Sequence, residues 1–235
     1  MNVETYSVPV PIESEAAVII DVLRATTMAC ALFDAGITEL VMVSTIEEAL
    51  KWKKKGYIAA GEREAVKIKG FDLGNSPTEL LDNDVRSKIK DKPVVMTTSN
   101  GTRAVNVVKA QLKILASLNN LTAVTEFLKI KHFKRIALVC AGTHSEMSLE
   151  DFYCAGLIVA SLTEGEEDVL LDDASFIAKI LTEIIQPFDL KRSTHAVKLI
   201  EKGFEKDVDH ALRIDISSVV PVSTSKNVFH ALYKV

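Results

Sequence analysis

Short runs of β-forming residues alternate with longer amphipathic stretches along most of the first 165 residues of the chain. Apolar strands that each lead into a helix predict a largely parallel sheet covered by helices, and no other feature constrains the fold as strongly. The expected strands cover residues 17–20, 40–43, 94–97 and 136–139, apolar runs suited to burial on both faces. Shorter candidates lie at 57–60 and 113–115. From Asp168 the pattern turns helical through 176–181 and 195–200, before a last strand-like run at 218–222. The expectation is a single three-layer α/β/α domain over residues 1–235, with a mostly parallel sheet and a mainly helical C-terminal part from about residue 168. The acidic run 164–168 is too short to be a flexible linker and reads as a surface loop.

Composition excludes several classes of function. The chain is 48% hydrophobic and 26% charged, enough apolar material for a sizeable core. Its 28 Lys and Arg against 32 Asp and Glu give a net charge of -4, no footprint for a polyanionic backbone, so nucleic acid is not expected as a partner. No apolar run approaches the roughly 18 residues of a spanning helix, and residues 1–15 lack the basic region and apolar core of a signal peptide. Cys30, Cys140 and Cys154 are an odd set within apolar segments and read as reduced core thiols, which places the chain in the cytoplasm.

Chemistry concentrates at three strand-to-helix junctions, residues 20–27, 97–103 and 140–151. In an open parallel sheet such junctions share the carboxyl edge of the strands, where ligands bind. Asp21 ends a buried strand with Arg24 three residues on, a pair suited to a hard cation or water and to an oxyanion; the alternative is a capping Asp with an incidental Arg. Asn100-Gly101-Thr102 can form a positive-φ turn whose following N–H groups face a phosphate, with Arg103 adding a charged fork, or it can be a plain Asn cap. Glu146, Glu150 and Asp151 place further carboxylates beside Asp21, and an oxygen-rich set favours magnesium over zinc. Ser148 with Asp151, and Ser76-Pro77-Thr78-Glu79, read as helix caps. Glu62, Arg63 and Asn75 belong to a polar loop region that follows a strand and can serve a metal and an anion or simply be solvated.

No nucleotide-binding glycine motif and no zinc spacing is present. Asp21 lacks the Asp-x-Asp of aspartyl-phosphate phosphatases, and Cys140 lacks the arginine of cysteine phosphatases six residues on. Cys140 near His144 and Ser145 leaves a cysteine-dependent hydrolase of a small organic acid derivative as an alternative, and a non-catalytic small-anion binder as another. The remaining histidines carry no assigned role.

Six blocks in one order, at residues 18–27, 61–63, 74–79, 97–102, 140–143 and 148–151, closely resemble the 2-phosphosulfolactate phosphatase family of magnesium-dependent enzymes. The resemblance spans about residues 15 to 160 and does not extend over 164–207. It implies hydrolysis of 2-phospho-3-sulfolactate to 3-sulfolactate and phosphate, a step of coenzyme M biosynthesis, acting on a small anionic phosphomonoester. It implies Mg2+ at Asp21, Glu62, Glu150 and Asp151, with Asp21, Asn100 and Thr102 as catalytic residues. Arg24, Arg63, Asn75, Asn100, Gly101, Thr102 and Arg103 are then the substrate-binding set, Arg24 and Arg63 holding the sulfonate and carboxylate. A homo-oligomer is left open.

Overall fold

The computed structural model describes residues 1–224 and 227–233. Its elements are β1 (Asn2–Tyr6), β2 (Glu13–Ile20), α1 (Ala25–Asp34), β3 (Leu40–Met42), α2 (Ile46–Lys53), β4 (Ile58–Arg63), β5 (Val66–Lys67), α3 (Asn83–Ile89), β6 (Val94–Thr97) and α4 (Gly101–Val107). There follow β7 (Lys109–Ala116), α5 (Leu121–Lys131), β8 (Arg135–Cys140), α6 (Leu149–Thr163), β9 (Leu170–Leu171), α7 (Asp173–Ile184), α8 (Thr194–Glu201), α9 (Glu205–Ala211), β10 (Val219–Ser223) and β11 (Val228–Tyr233).

The strands form one mostly parallel sheet of 11, in the order β5-β4-β6-β3-β11-β10-β7-β2-β8-β1-β9. Every apolar run expected to be a strand is one. Successive residues of β2 face opposite sides, as a strand's period of two requires. Val18 and Ile20 pack with α5 and α6 and with Ala178, Leu199 and Val208 from α7, α8 and α9, whereas Ala17 and Ile19 pack with α1 and α4. The result is the three-layer α/β/α arrangement, and the helices after residue 168 share the core that β2 nucleates. A smaller cluster lies where Val41, Ala59 and Val95 meet α2.

The strand at each end of the chain escapes the periodicity. β1 buries only Val3 and Thr5, too few apolar residues to stand out, and pairs in parallel with β8 and β9. The hairpin of β10 and β11 is antiparallel within itself and to both neighbours, β7 and β3. Chain direction therefore reverses between the parallel block β4-β6-β3 and the parallel block β7-β2-β8-β1. In a flat sheet this would put the carboxyl ends of β2 and β6 on opposite edges. They nevertheless meet, since a Cβ added at Gly101, just past β6, would lie 2.5 Å from Asp21 Oδ2, just past β2. The junctions after β2 and β6 therefore meet across the reversal of chain direction.

Candidate active site

The β2 end is built around Asp21, which is only 5% exposed. The Ala25 N–H donates to its Oδ1 at 3.2 Å, and Thr26 Oγ1 donates to its backbone carbonyl at 2.7 Å. Gly101 is required opposite: besides Asp21 Oδ2, an added Cβ would meet the Ala25 Cβ at 2.5 Å. Its φ is not positive, so the expected positive-φ turn is absent and close approach is what selects glycine here. Asn100 stands at the start of α4 but makes no capping bond. Thr98 and Thr102 do that work instead: Thr102 N–H donates to Thr98 Oγ1 at 3.3 Å and Thr102 Oγ1 donates to the Thr98 carbonyl at 2.7 Å. The Asn100 side chain is thus left to the cleft it lines, while the Thr102 hydroxyl is spent on holding the turn.

At the β8 end, Asp151 is not a cap partner of Ser148, whose side chain makes no capping bond. Its two carboxylate oxygens accept from Val22 N–H at 2.8 Å and Gly142 N–H at 3.0 Å, tying the loops after β2 and β8 together. Glu150, fully buried, has Oε1 3.0 Å from His195 Nδ1, while its Oε2 has no partner. Glu62, at the end of β4, accepts from Ser99 N–H at 2.8 Å and Ala65 N–H at 2.7 Å, clamping the loop after β6. Burial pushes the Asp21 carboxyl up to about 6; His195 and the Ala25 amide oppose this and the Glu62 and Glu150 charges reinforce it. Burial, then the Asp21 and Glu150 charges, hold Asp151 well above the carboxylate range.

Of these carboxylates Glu62 lines a cleft of about 300 Å³, together with Arg24, Asn75, Asn100, Thr143, His195, Lys198 and Lys202. Asn75 is nearly buried and its Oδ1 has no partner. The three arginines are not gathered as expected. Arg24 lines the cleft, but its Nη1 donates to Asp207 Oδ2 at 2.6 Å and its guanidinium lies 4.2 Å from the Phe204 ring centre. Arg63 and Arg103 line a neighbouring depression with Ser44 and Asn106. There Arg63 donates to Thr97 Oγ1 at 2.9 Å and Arg103 to Ser145 Oγ at 2.8 Å. Glu146 is exposed and also lies outside the cleft.

Two further expectations are corrected. Ser76-Pro77-Thr78-Glu79 is no capping box: Pro77–Leu81 is a 3-10 turn, and Ser76 Oγ donates to Asp207 Oδ1 at 2.6 Å. Cys140 is fully buried and burial pushes its thiol well above the ordinary range, so it can be neither reached nor ionised as a nucleophile. His195, Lys198 and Asp207 were not singled out in the sequence. A signal existed for the first two, because residues three apart on a helix share a face, but nothing local ties that face to a cleft formed by the far end of the chain.

A family model described as 2-phosphosulpholactate phosphatase matches residues 7–226. A probable 2-phosphosulfolactate phosphatase of Thermotoga petrophila is 43% identical over 214 residues, 90% of each chain. Those of Thermotoga maritima, 42% identical over 90% of each chain, and Pseudothermotoga lettingae, 35% identical over 94% of this chain and 95% of the relative, carry the same name. The match runs through the cleft and past Asp207, and the chain belongs to the 2-phosphosulfolactate phosphatase family.

Proposed function

We propose that this phosphatase hydrolyses 2-phospho-3-sulfolactate to 3-sulfolactate and phosphate with the help of Mg2+, in coenzyme M biosynthesis or related sulfonate metabolism in the cytoplasm. The observation that carries the reading is electrostatic. Asp21, Glu150 and Asp151 are buried behind the cleft that Glu62, Asn100 and His195 line, and among the described residues no lysine or arginine pairs with any of them; only His195 reaches one, Glu150. Buried like charges are costly unless a cation joins them.

The donor set suits magnesium. Its oxygens are carboxylate oxygens, Glu150 Oε2 is an orphan, and Asp21 keeps Oδ2 clear of the Ala25 amide. Among the described residues no three His, Cys, Asp or Glu side chains already surround one point. A magnesium ion commonly keeps several waters and takes one or two carboxylates plus substrate phosphate. Asp21 and Glu150 would hold it, while Asp151 and Glu62, whose oxygens accept backbone amides, fix the loops around it. When bound, the ion would polarise the phosphoryl oxygens and offset their developing charge.

The chain's own groups do the rest. The Asn100 side chain, which makes no capping bond, donates to a phosphate in the cleft. Glu150 and Thr143 hold the His195 ring through Nδ1, which presents its other edge to the cleft. Water supplies the oxygen that bonds to phosphorus as the ester P–O bond breaks; one of its protons stays with the phosphate formed and the other ends on the departing alkoxide.

A panel of phosphomonoesters assayed with Mg2+ and with a chelator tests the reading. Turnover of 2-phospho-3-sulfolactate is expected only with the metal. Turnover undiminished by the chelator would remove magnesium, and hydrolysis of other esters without the sulfonated one would remove the substrate.

A further inference from the structure

Phosphosulfolactate carries a carboxylate and a sulfonate besides the reacting phosphate, and of the arginines expected to hold them only Arg24 lines the cleft. Arg24 is joined to Asp207 with both side chains buried, 3% and 2% exposed, so its charge is already compensated. Arg63 and Arg103 lie in the neighbouring depression. The lysines that line the cleft both come from α8 and the residue just past its end, Lys198 and Lys202. Lys202 Nζ donates to the Glu64 carbonyl at 2.8 Å, across the cleft mouth. Lys198 is exposed, and its ammonium makes no hydrogen bond or ion pair among the described residues. Its backbone is fixed, because Ala196 and Leu199 on either side of it are buried in the core that holds β2. It stands one helical turn after His195, whose ring reaches Glu150. The helix therefore brings one group to the carboxylate floor and one unpaired cation to the cleft wall.

We propose that Lys198 determines specificity by pairing with the sulfonate of the substrate while the phosphate sits at the Asn100 end of the cleft. A compact ammonium with three donors suits a tetrahedral sulfonate and needs none of the planar matching a guanidinium offers a carboxylate. The assignment rests on the phosphosulfolactate reading above. It moves the sulfonate contact from Arg24 and Arg63 to a part of the chain where no motif was recognised.

The test compares 2-phospho-3-sulfolactate with 2-phospholactate, the same frame without the sulfonate, in the full-length wild type, Lys198→Ala, Lys198→Arg and Arg63→Ala. Lys198→Ala should raise KM for the sulfonated ester by about tenfold or more, the loss of one charge-assisted contact. It should leave kcat and the kinetics of 2-phospholactate near wild type, and Lys198→Arg should restore most of the preference. Circular dichroism checks that each variant is folded, which an exposed position favours. A preference kept in Lys198→Ala, or lost in Arg63→Ala instead, overturns the assignment and leaves the reaction standing. A wild type that favours neither ester overturns both.

Discussion

Asp21 is the residue at which function and stability oppose each other most directly. Its carboxyl is raised from 3.8 to about 6, chiefly by burial. Between those values the folded chain holds a proton that the unfolded chain has released, so folding stability falls as pH rises through this window. Above it the metal-free protein bears the full cost, about 3 kcal/mol for a shift of this size. Asp21→Asn removes that charge. In chelator at pH 7.5 the variant should be more stable than wild type by up to about 3 kcal/mol, with the gap closing toward pH 4. Its turnover with Mg2+ should fall by about two orders of magnitude or more. Urea titrations across this pH range measure the first effect, and an Asn variant less stable than wild type at pH 7.5 would show that the carboxylate is already compensated. The position of Asp21 was legible in the sequence because a buried run ended there. Its surroundings were not, since Gly101 and His195 reach it only through the tertiary fold.

Strands and helices differ in how plainly they show in this sequence. The second half of β2, most of β8 and all of β6 are buried on both faces, so their side chains are almost all apolar and the pattern survives translation into sequence. Helix ends do not, because Ser, Thr and Asp can satisfy a local amide or a distant one with the same atoms. Ser76 and Asp151 look like local caps and serve long-range contacts instead. Asp207 is the extreme case. From α9 it accepts from Arg24 Nη1 and Ser76 Oγ at 2.6 Å each and from Thr78 Oγ1 at 2.5 Å, joining the loop after β2, the 3-10 turn at Pro77–Leu81 and the C-terminal helices. Asp207→Ala would leave the Arg24 guanidinium buried without its partner. Removing one member of a buried pair typically costs about 3–5 kcal/mol, and urea unfolding should show a loss in that range. A loss under about 1 kcal/mol would mean that Arg24 finds another acceptor or water, and its neutralised state in the cleft would have to be reconsidered.

Across the whole molecule, the reversal of chain direction at the β10–β11 hairpin raises the question of whether the two parallel blocks fold as one. The hairpin touches each block over only a short register, Val222 and Ser223 against β7 and Val228 and Phe229 against β3. By itself that seam is slight. The buried core argues the other way, since one cluster holds Ala17 and Ile19 of β2 together with Leu40 of β3, Val94 and Met96 of β6 and Leu115 of β7. Separating the blocks would expose apolar surface on both, and hydrophobic burial is the dominant favourable contribution to folding. The single tryptophan, Trp52, packs beside β3, β4 and β6 in a smaller cluster of its own, so its fluorescence reports on one block while far-ultraviolet circular dichroism reports on helices of both. The shared core predicts that the two signals give one urea midpoint with the same slope, the behaviour of a single cooperative unit. If Trp52 became exposed at a lower urea concentration than the helices melt, the block carrying Glu62 would open alone. The cleft would then lose its Glu62 and Asn75 wall before the fold is lost, and inactivation would follow the fluorescence rather than the dichroism.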